Sequence, residues 1–532
     1  MSGTSDHYRR GIRAWITYDW ANSAFATTIL AAVFPVYFGS VAGANLPSAA
    51  TATQYYTLTL SASVLVTAVL SPVLGKVADS TGTRKRFLLG FAGIGILSTA
   101  GLFAVNTGDW VLAAVLAGIG RIGFGGGNVF YDSLLPHIAR PDDIDRVSAR
   151  GYAFGYLGGG LLLTANAAMI ILLPDDNLGF RLSLLSVALW WAGFSIPLAR
   201  HVPEPPAHGE VLGTTPVRAA IRETMTTLMG LGAFPDLRRY LIAFIIYNDG
   251  INVVIAAAAI YGVELGFAPL ELTLAILLVQ FIGAPYAMAF GAMPTTSDRR
   301  RRRVLTAFVV ANIVLLPLLG IALRVGGPPA LTGAPGPRLG DEGLVATDPP
   351  VRGGVLTFDW DGQSLRLTHR QGPGLSDAQV QVDGESLLAD GEPVVVPGAG
   401  AVDRSGEVVT IQVDDIGPHT LTLPGAEGLV EQIEVLPARR SSSLPVILAL
   451  IIGLQAVGAA FALTIGGRLV AGLADRLTTK RAIMISLSAY VVIAVWGFAL
   501  DSVVEFWCLA WMVGVVQGGS QALSRSLYAR LT

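Results

Sequence analysis

The chain has 532 residues, 52% hydrophobic and only 14% charged, and its mean hydropathy is +0.58. That balance excludes an ordinary soluble domain and describes a polytopic membrane protein. A net charge of -2 points to neither nucleic acid nor an acidic partner, and the lone Cys508 excludes an intrachain disulfide or a cysteine-based metal site.

Nothing at the N-terminus reads as a cleavable signal, because the apolar stretch after Arg13 is too long for one. Runs long enough to cross roughly 30 Å of hydrocarbon fall near 14 to 39, 55 to 75, 87 to 106, 110 to 134, 150 to 173 and 180 to 199. They make residues 1-199 a six-helix half. Residues 200-239 begin with Pro203, Pro205 and Pro206 and read as a cytoplasmic linker with an amphipathic helix near 216 to 231. Further runs near 240 to 264, 269 to 293 and 304 to 324 form the first part of a second half, 240-325, and those near 444 to 471, 482 to 500 and 504 to 527 form the remainder, 441-532. About twelve transmembrane helices are visible.

If each run crosses once, Arg9, Arg10, Arg13, the Arg84 to Arg86 cluster, Arg140, Arg146, Arg150, Arg299 to Arg303 and Arg476 all fall on one side. The loops near 42 to 53, 107 to 109 and 174 to 179 carry almost no Lys or Arg. The positive-inside rule therefore places the N-terminus in the cytoplasm.

Residues 326-440 differ in kind. Apolar residues alternate at Leu356 to Trp360 and at Val409 to Val413, and Asp-Gly pairs at 361, 383 and 390 read as hairpin turns. An extracytoplasmic all-β insert, sandwich-like, is expected, following a Gly/Pro-rich tether at 326 to 340. Its acidic residues outnumber basic ones by about ten. Asp359, Asp361 and Gly362 lack the remaining positions of a calcium loop and read as a plain turn.

Ionisable residues inside membrane helices are costly and hence functional suspects. The first helix carries Asp19 and Asn22, and the seventh carries Asn248 and Asp249 at the same place in its half. Both acids lie about 9 to 15 Å from the cytoplasmic end. They read as solute or proton sites, or as helix-end staples. Arg121 is deeper and should meet a carboxylate, backbone carbonyls or a solute anion, with Asp19 and Asp132 nearest in depth; Asn128, Tyr131 and Asp132 form a polar stripe on the same helix. Gly118, Gly120 and Gly123 match G-x-G-x-x-G, but inside a membrane helix they mark close packing, not a dinucleotide. No phosphate-binding loop, catalytic triad or metal-ligand spacing occurs. Neither an enzyme nor a cofactor is expected.

Gly75-Lys76-Val77-Ala78-Asp79, followed by Arg84, Lys85 and Arg86, lies between two apolar runs, and Gly472, Asp475, Lys480 and Arg481 echo it late in the chain. Ordinary positive-inside loops need neither the Gly nor the Asp at fixed spacing. The pair resembles the loop signature of the major facilitator superfamily, once per half, where it forms cytoplasmic gates. Trp15, the Tyr18 to Phe25 run, Ser148-Ala149-Arg150-Gly151, Tyr247-Asn248-Asp249-Gly250 and Gly518 to Ser526 further resemble the branch holding the autophagy-linked vacuolar amino-acid effluxer and its bacterial relatives. The β insert lies outside that resemblance. Gly291 and Asp298 with five arginines look like a worn second signature. This favours an inserted helical hairpin carrying the β domain, with two further helices expected past Thr532, over twelve spans as the full set.

The expected protein is a bacterial inner-membrane secondary transporter that moves a small polar solute, amino acids by resemblance, in exchange with or alongside protons. The bilayer is its other partner and nucleic acid is not one. The rival is a receptor or assembly factor whose β domain binds an unspecified ligand or protein.

Overall fold

The computed structural model describes residues 2–47, 49–173, 176–207, 226, 230–264, 269–326, 345–349, 351–389, 392–400, 403–436, 444–500 and 502–531. A helix satisfies its own backbone hydrogen bonds, so apolar runs of this length fold as helices in a bilayer. They are α1 (Ser2–Ala24), α2 (Ala49–Thr81), α3 (Arg84–Gly101), α4 (Trp110–Ile138), α5 (Ile144–Leu172) and α6 (Asp176–His201) in the first half. The second half holds α7 (Pro235–Glu264), α8 (Pro269–Thr295), α9 (Arg299–Gly326), α10 (Leu444–Phe461), α11 (Thr479–Phe498) and α12 (Val503–Leu531). Eleven stretches among the described residues are long and apolar enough to span a membrane. The twelfth expected run falls on α7, where the side chains of 252–264 lie outside the described residues. The expected amphipathic helix and the Gly/Pro-rich tether also fall largely outside them.

The first membrane crossing does not end with α1. It runs on through a π-helical stretch, Phe25–Ala32, a short α-helical piece, Val33–Tyr37, and a second π-helical stretch, Phe38–Ala42. Pro35 sits in the middle piece and offers no N–H to the ladder, a local cause for irregularity.

Small residues set how closely the helices approach. A Cβ on Gly123 would lie 2.5 Å from the Gly95 nitrogen, so α4 and α3 touch backbone to backbone. Gly118 faces Ser63 and Thr59, and Gly120 faces Phe25. The G-x-G-x-x-G match is therefore a packing stripe. Each half has its own apolar core, one centred on Trp15, Phe34 and Trp191, the other on Phe290, Trp507 and Met512. A third, smaller cluster joins α5 to α8 through Ala153, Tyr156, Ala284 and Ala287.

The β region has strands β1 (Val345–Thr347), β2 (Val351–Arg352), β3 (Val355–Gln371), β4 (Ala378–Gln379), β5 (Gln381–Val382), β6 (Glu385–Ser386), β7 (Leu388–Ala389), β8 (Glu392–Pro393), β9 (Val395–Val396), β10 (Arg404–Pro424) and β11 (Val430–Leu436). They form one seven-stranded antiparallel sheet, ordered β1-β11-β3-β10-β5-β6 with β2 beside β3, and two two-stranded pieces. The long β3 and β10 carry the apolar faces of Leu356, Leu365, Leu367, Ile411, Leu421 and Leu423 into a single core. The turn expected at Asp361-Gly362 is corrected. The pair lies inside β3, with Asp361 opposite Pro418 and Gly362 opposite Gly417, because the cross-strand ladder outweighs the local turn signal.

Asp383-Gly384 is the turn that the sequence suggests, with φ of 54° and 85° between β5 and β6. The Asp390-Gly391 pair lies outside the described residues. The Asp383 carboxylate accepts from His419 Nδ1 at 2.7 Å and from the Thr420 amide at 2.8 Å, and these bonds hold its pKa below the usual carboxylate range. A depressed acid stabilises the fold above its unfolded pKa of about 4 and loses that contribution as pH falls through the lower folded value. Protection of the Thr420 amide against hydrogen exchange should accordingly decline below about pH 4. Asp383→Asn should remove that dependence.

Candidate functional site: a cavity closed by a buried arginine

Helical spacing gathers the polar groups. On α1, Trp15, Tyr18, Asp19 and Asn22 recur at three- and four-residue steps and share one face. On α4, Phe124, Asn128 and Asp132 recur every four residues, and on α12 so do Gln517, Gln521 and Arg525. Those three faces meet around a cavity of about 940 Å³. Asp19, Asn22, Asn128, Asp132, Gln517, Gln521 and Arg525 all line it, along with aromatic and aliphatic residues of α5, α8 and α12.

Arg525 closes one end. Its Nη2 donates to Asp19 Oδ2 at 3.0 Å and to the Ser148 carbonyl at 2.8 Å, its Nη1 to Asp132 Oδ1 at 3.2 Å, and its Nε to Ser148 Oγ at 2.9 Å. The guanidinium also lies 4.2 Å from the centre of the Tyr152 ring and 4.8 Å from that of Trp15. Burying a charge is tolerable only with such complete pairing. Of the three, Asp132 is the most open to the cavity, its side chain 41% exposed against 10% for Asp19 and 5% for Arg525.

The acceptors are held rigidly. Trp15 Nε1 donates to the Tyr131 carbonyl at 3.2 Å while the Tyr131 hydroxyl donates to the Trp15 carbonyl at 3.1 Å, and the two rings stack 4.4 Å apart. Asn22 Nδ2 donates to Asn128 Oδ1 at 2.5 Å one turn further along. A Cβ at Gly151 would run into Asp19, Arg525 and Trp15, so only glycine leaves room for the cluster against α5.

The arginine-rich end is also fastened between the halves. Ser148 Oγ donates to the Ala522 carbonyl at 2.7 Å. Buried Asp145 at the start of α5 accepts from Thr479 Oγ1 at 2.8 Å and pairs with Arg530 at 3.0 Å. At the opposite end the cavity runs out between exposed Thr53 and Thr57, beside Pro35 and Gly39.

Two sequence expectations fall elsewhere. Arg121 has no carboxylate partner among the described residues and lies over the Phe124 ring, 5.6 Å from its centre; the acids expected to meet it are taken by Arg525. Asp249 is exposed and Asn248 half-buried on α7, and neither lines the cavity. Gly75 and Gly472 do not bring backbones together, since a Cβ at either meets nothing within 4 Å. The loop charges do pair: Arg84 Nε donates to Asp79 Oδ1 at 2.6 Å, and Arg303 Nε to Asp475 Oδ1 at 2.9 Å. Arg303 holds the Asp475 pKa below the usual range. The arginine run read as a worn signature thus supplies the partner for the better copy. Lys480 and Arg481 are exposed, with Arg481 Nη1 donating to the Arg476 carbonyl at 2.5 Å.

Residues 7–327 match the family model described as vacuole effluxer Atg22 like. The chain belongs to the Atg22-like family. Within its span are the α1 and α4 sides of the cavity, whereas Arg525 and the β region lie beyond it. The Bacillus subtilis protein named uncharacterized MFS-type transporter YxiO is 31% identical over 288 residues, covering 53% of this chain and 66% of its own length. Autophagy-related protein 22 of Coccidioides immitis is 22% identical over 417 residues, covering 59% of this chain and 69% of that one. The chain thus spans about two thirds of the length of these relatives. Their names are those of a transporter and an autophagy protein, not of enzymes. The solved structure of the proton:xylose symporter XylE aligns over 99% of this chain and 93% of its own at 15% identity with a TM-score of 0.41.

Proposed function

We propose that this Atg22-like chain is a secondary transporter of a bacterial inner membrane, with its N-terminus in the cytoplasm and the β region outside. It carries a small solute with a cationic or zwitterionic head, amino acids foremost, outward through the cavity. The observation that carries this reading is the half-exposed Asp132 beside a fully paired Arg525. Asp132 offers a carboxylate to a solute ammonium, flanked by the rings of Tyr131 and Tyr152, while the amides of Gln280, Gln517 and Gln521 offer donors to its other end. Protonating Asp19 or Asp132 removes one of the charge partners of Arg525 and so links a proton to the closed end. Alternating access then consists of breaking the Arg525 and Asp145 contacts as the opposite end closes. Arg121 and Asp249 stay outside solute binding.

The test is flux of a pooled amino-acid mixture into proteoliposomes under an imposed pH gradient. Asp132→Asn should lower gradient-dependent flux at least tenfold, the cost of one charge-assisted contact. Equal flux in the variant and the unaltered chain would remove Asp132 from the solute path. Absence of flux from both, with the β region capturing a ligand, would favour the receptor reading.

A further inference from the structure

Among the described residues the β region meets the first half at the start of β10. Arg404, at the start of β10, donates from Nη2 to the Gly43 carbonyl at 2.8 Å and from Nε to the Leu46 carbonyl, and the next amide, Ser405, donates to the Pro47 carbonyl. Glu407 pairs with the same guanidinium at 3.2 Å, and the Arg404 side chain is only 11% exposed. A planar fork spanning two carbonyls of one loop is a fit that lysine cannot reproduce.

Position gives this contact its meaning. Residues 43–47 join the end of the first crossing to α2, and the flanking Phe38, Gly39, Thr53 and Thr57 line the open end of the cavity. In sequence the β region sits between α9 and α10, both of the second half. The β region is thus joined in sequence to the second half and clamped to the first beside these lining residues.

We propose that the β domain is a strap across the cavity mouth, and that the Arg404 clamp on the Gly43–Pro47 loop holds that end in its open arrangement. Closing the mouth moves this loop relative to α9 and α10, so the clamp must release or the domain must shift with it. The inference rests on alternating access and on no particular solute.

The test uses the full-length chain with Cys508→Ala and pairs of spin labels. One pair, at Ser40 and Phe498, both exposed, reads the width of the mouth; the other, at Ser40 and Glu385, reads the seating of the β domain. Arg404→Gln should lengthen the second distance and shift the mouth about tenfold toward its closed width, the effect of losing one charge-assisted contact. Arg404→Lys, which keeps the charge but not the fork, should shift it in the same direction. Arg525→Gln weakens the opposite end and should close the mouth with the clamp intact. A mouth that closes in Arg525→Gln but not in Arg404→Gln overturns the strap alone, as does an unmoved β domain. Closure in neither overturns the strap together with the alternating-access reading.

Discussion

Arg525→Ala should destabilise the protein by about 3–5 kcal/mol, the cost of breaking a buried ion pair from one side. Two effects combine in that figure. Asp19 and Asp132 are left facing each other without the cation that separates them, and Asp19, only 10% exposed, cannot recover solvent. The hydroxyl and carbonyl of Ser148 lose their donors as well. Asp19→Asn in the same background should restore part of the loss, because it removes one of the two stranded charges. Thermal unfolding of the single and double variants in one detergent checks both statements, with the coupling read from the cycle. Equal loss in the single and double variants would mean that the guanidinium is held mainly by its rings and by Ser148.

Asp145→Ala should cost about 2 kcal/mol and act on the junction of the halves more than on either core. The Asp145 side chain is 1% exposed and ties α5 to α11 through Thr479 and to α12 through Arg530. Arg530 is 38% exposed, so its share of the pair is screened and the estimate stays below that for Arg525. Asp145→Asn keeps an acceptor for Thr479 and should lose less. A loss confined to thermal stability, with cavity access unchanged from the arginine-rich side, would make Asp145 a brace for α5 and not part of the gate.

What the sequence revealed followed from cost. Asp19 and Asp132 stood out because acids are expensive in apolar runs, and the α4 stripe stood out because Asn128 and Asp132 repeat at helical spacing. Arg525 escaped because it sat in Ser524-Arg525-Ser526, read as a family mark, and because its partner Asp19 is 506 residues away. Periodicity within one helix cannot report a pairing at that distance. A signal was nonetheless present: Gln517, Gln521 and Arg525 repeat the four-residue stripe of Phe124, Asn128 and Asp132. Asp145 lies in sequence beside the loop acids Asp142 and Asp143, and only the packing of α11 and α12 over it makes it buried. In the β region the alternation located the strands well, but the Asp361-Gly362 signal was overridden by its ladder with β10. A two-residue turn preference is small beside a run of cross-strand pairs.

Cysteine accessibility shows whether a cavity open at one end is shut at the other by Arg525, with Gln517→Cys placed on the cavity wall in the Cys508→Ala chain. A membrane-impermeant maleimide applied from either side of sealed vesicles should label it from the side of Thr53 and Thr57 only. Adding Arg525→Ala should make it reactive from the arginine-rich side too. Labelling from the arginine-rich side in the chain that retains Arg525, or none after its removal, would mean that Arg525 does not shut the cavity.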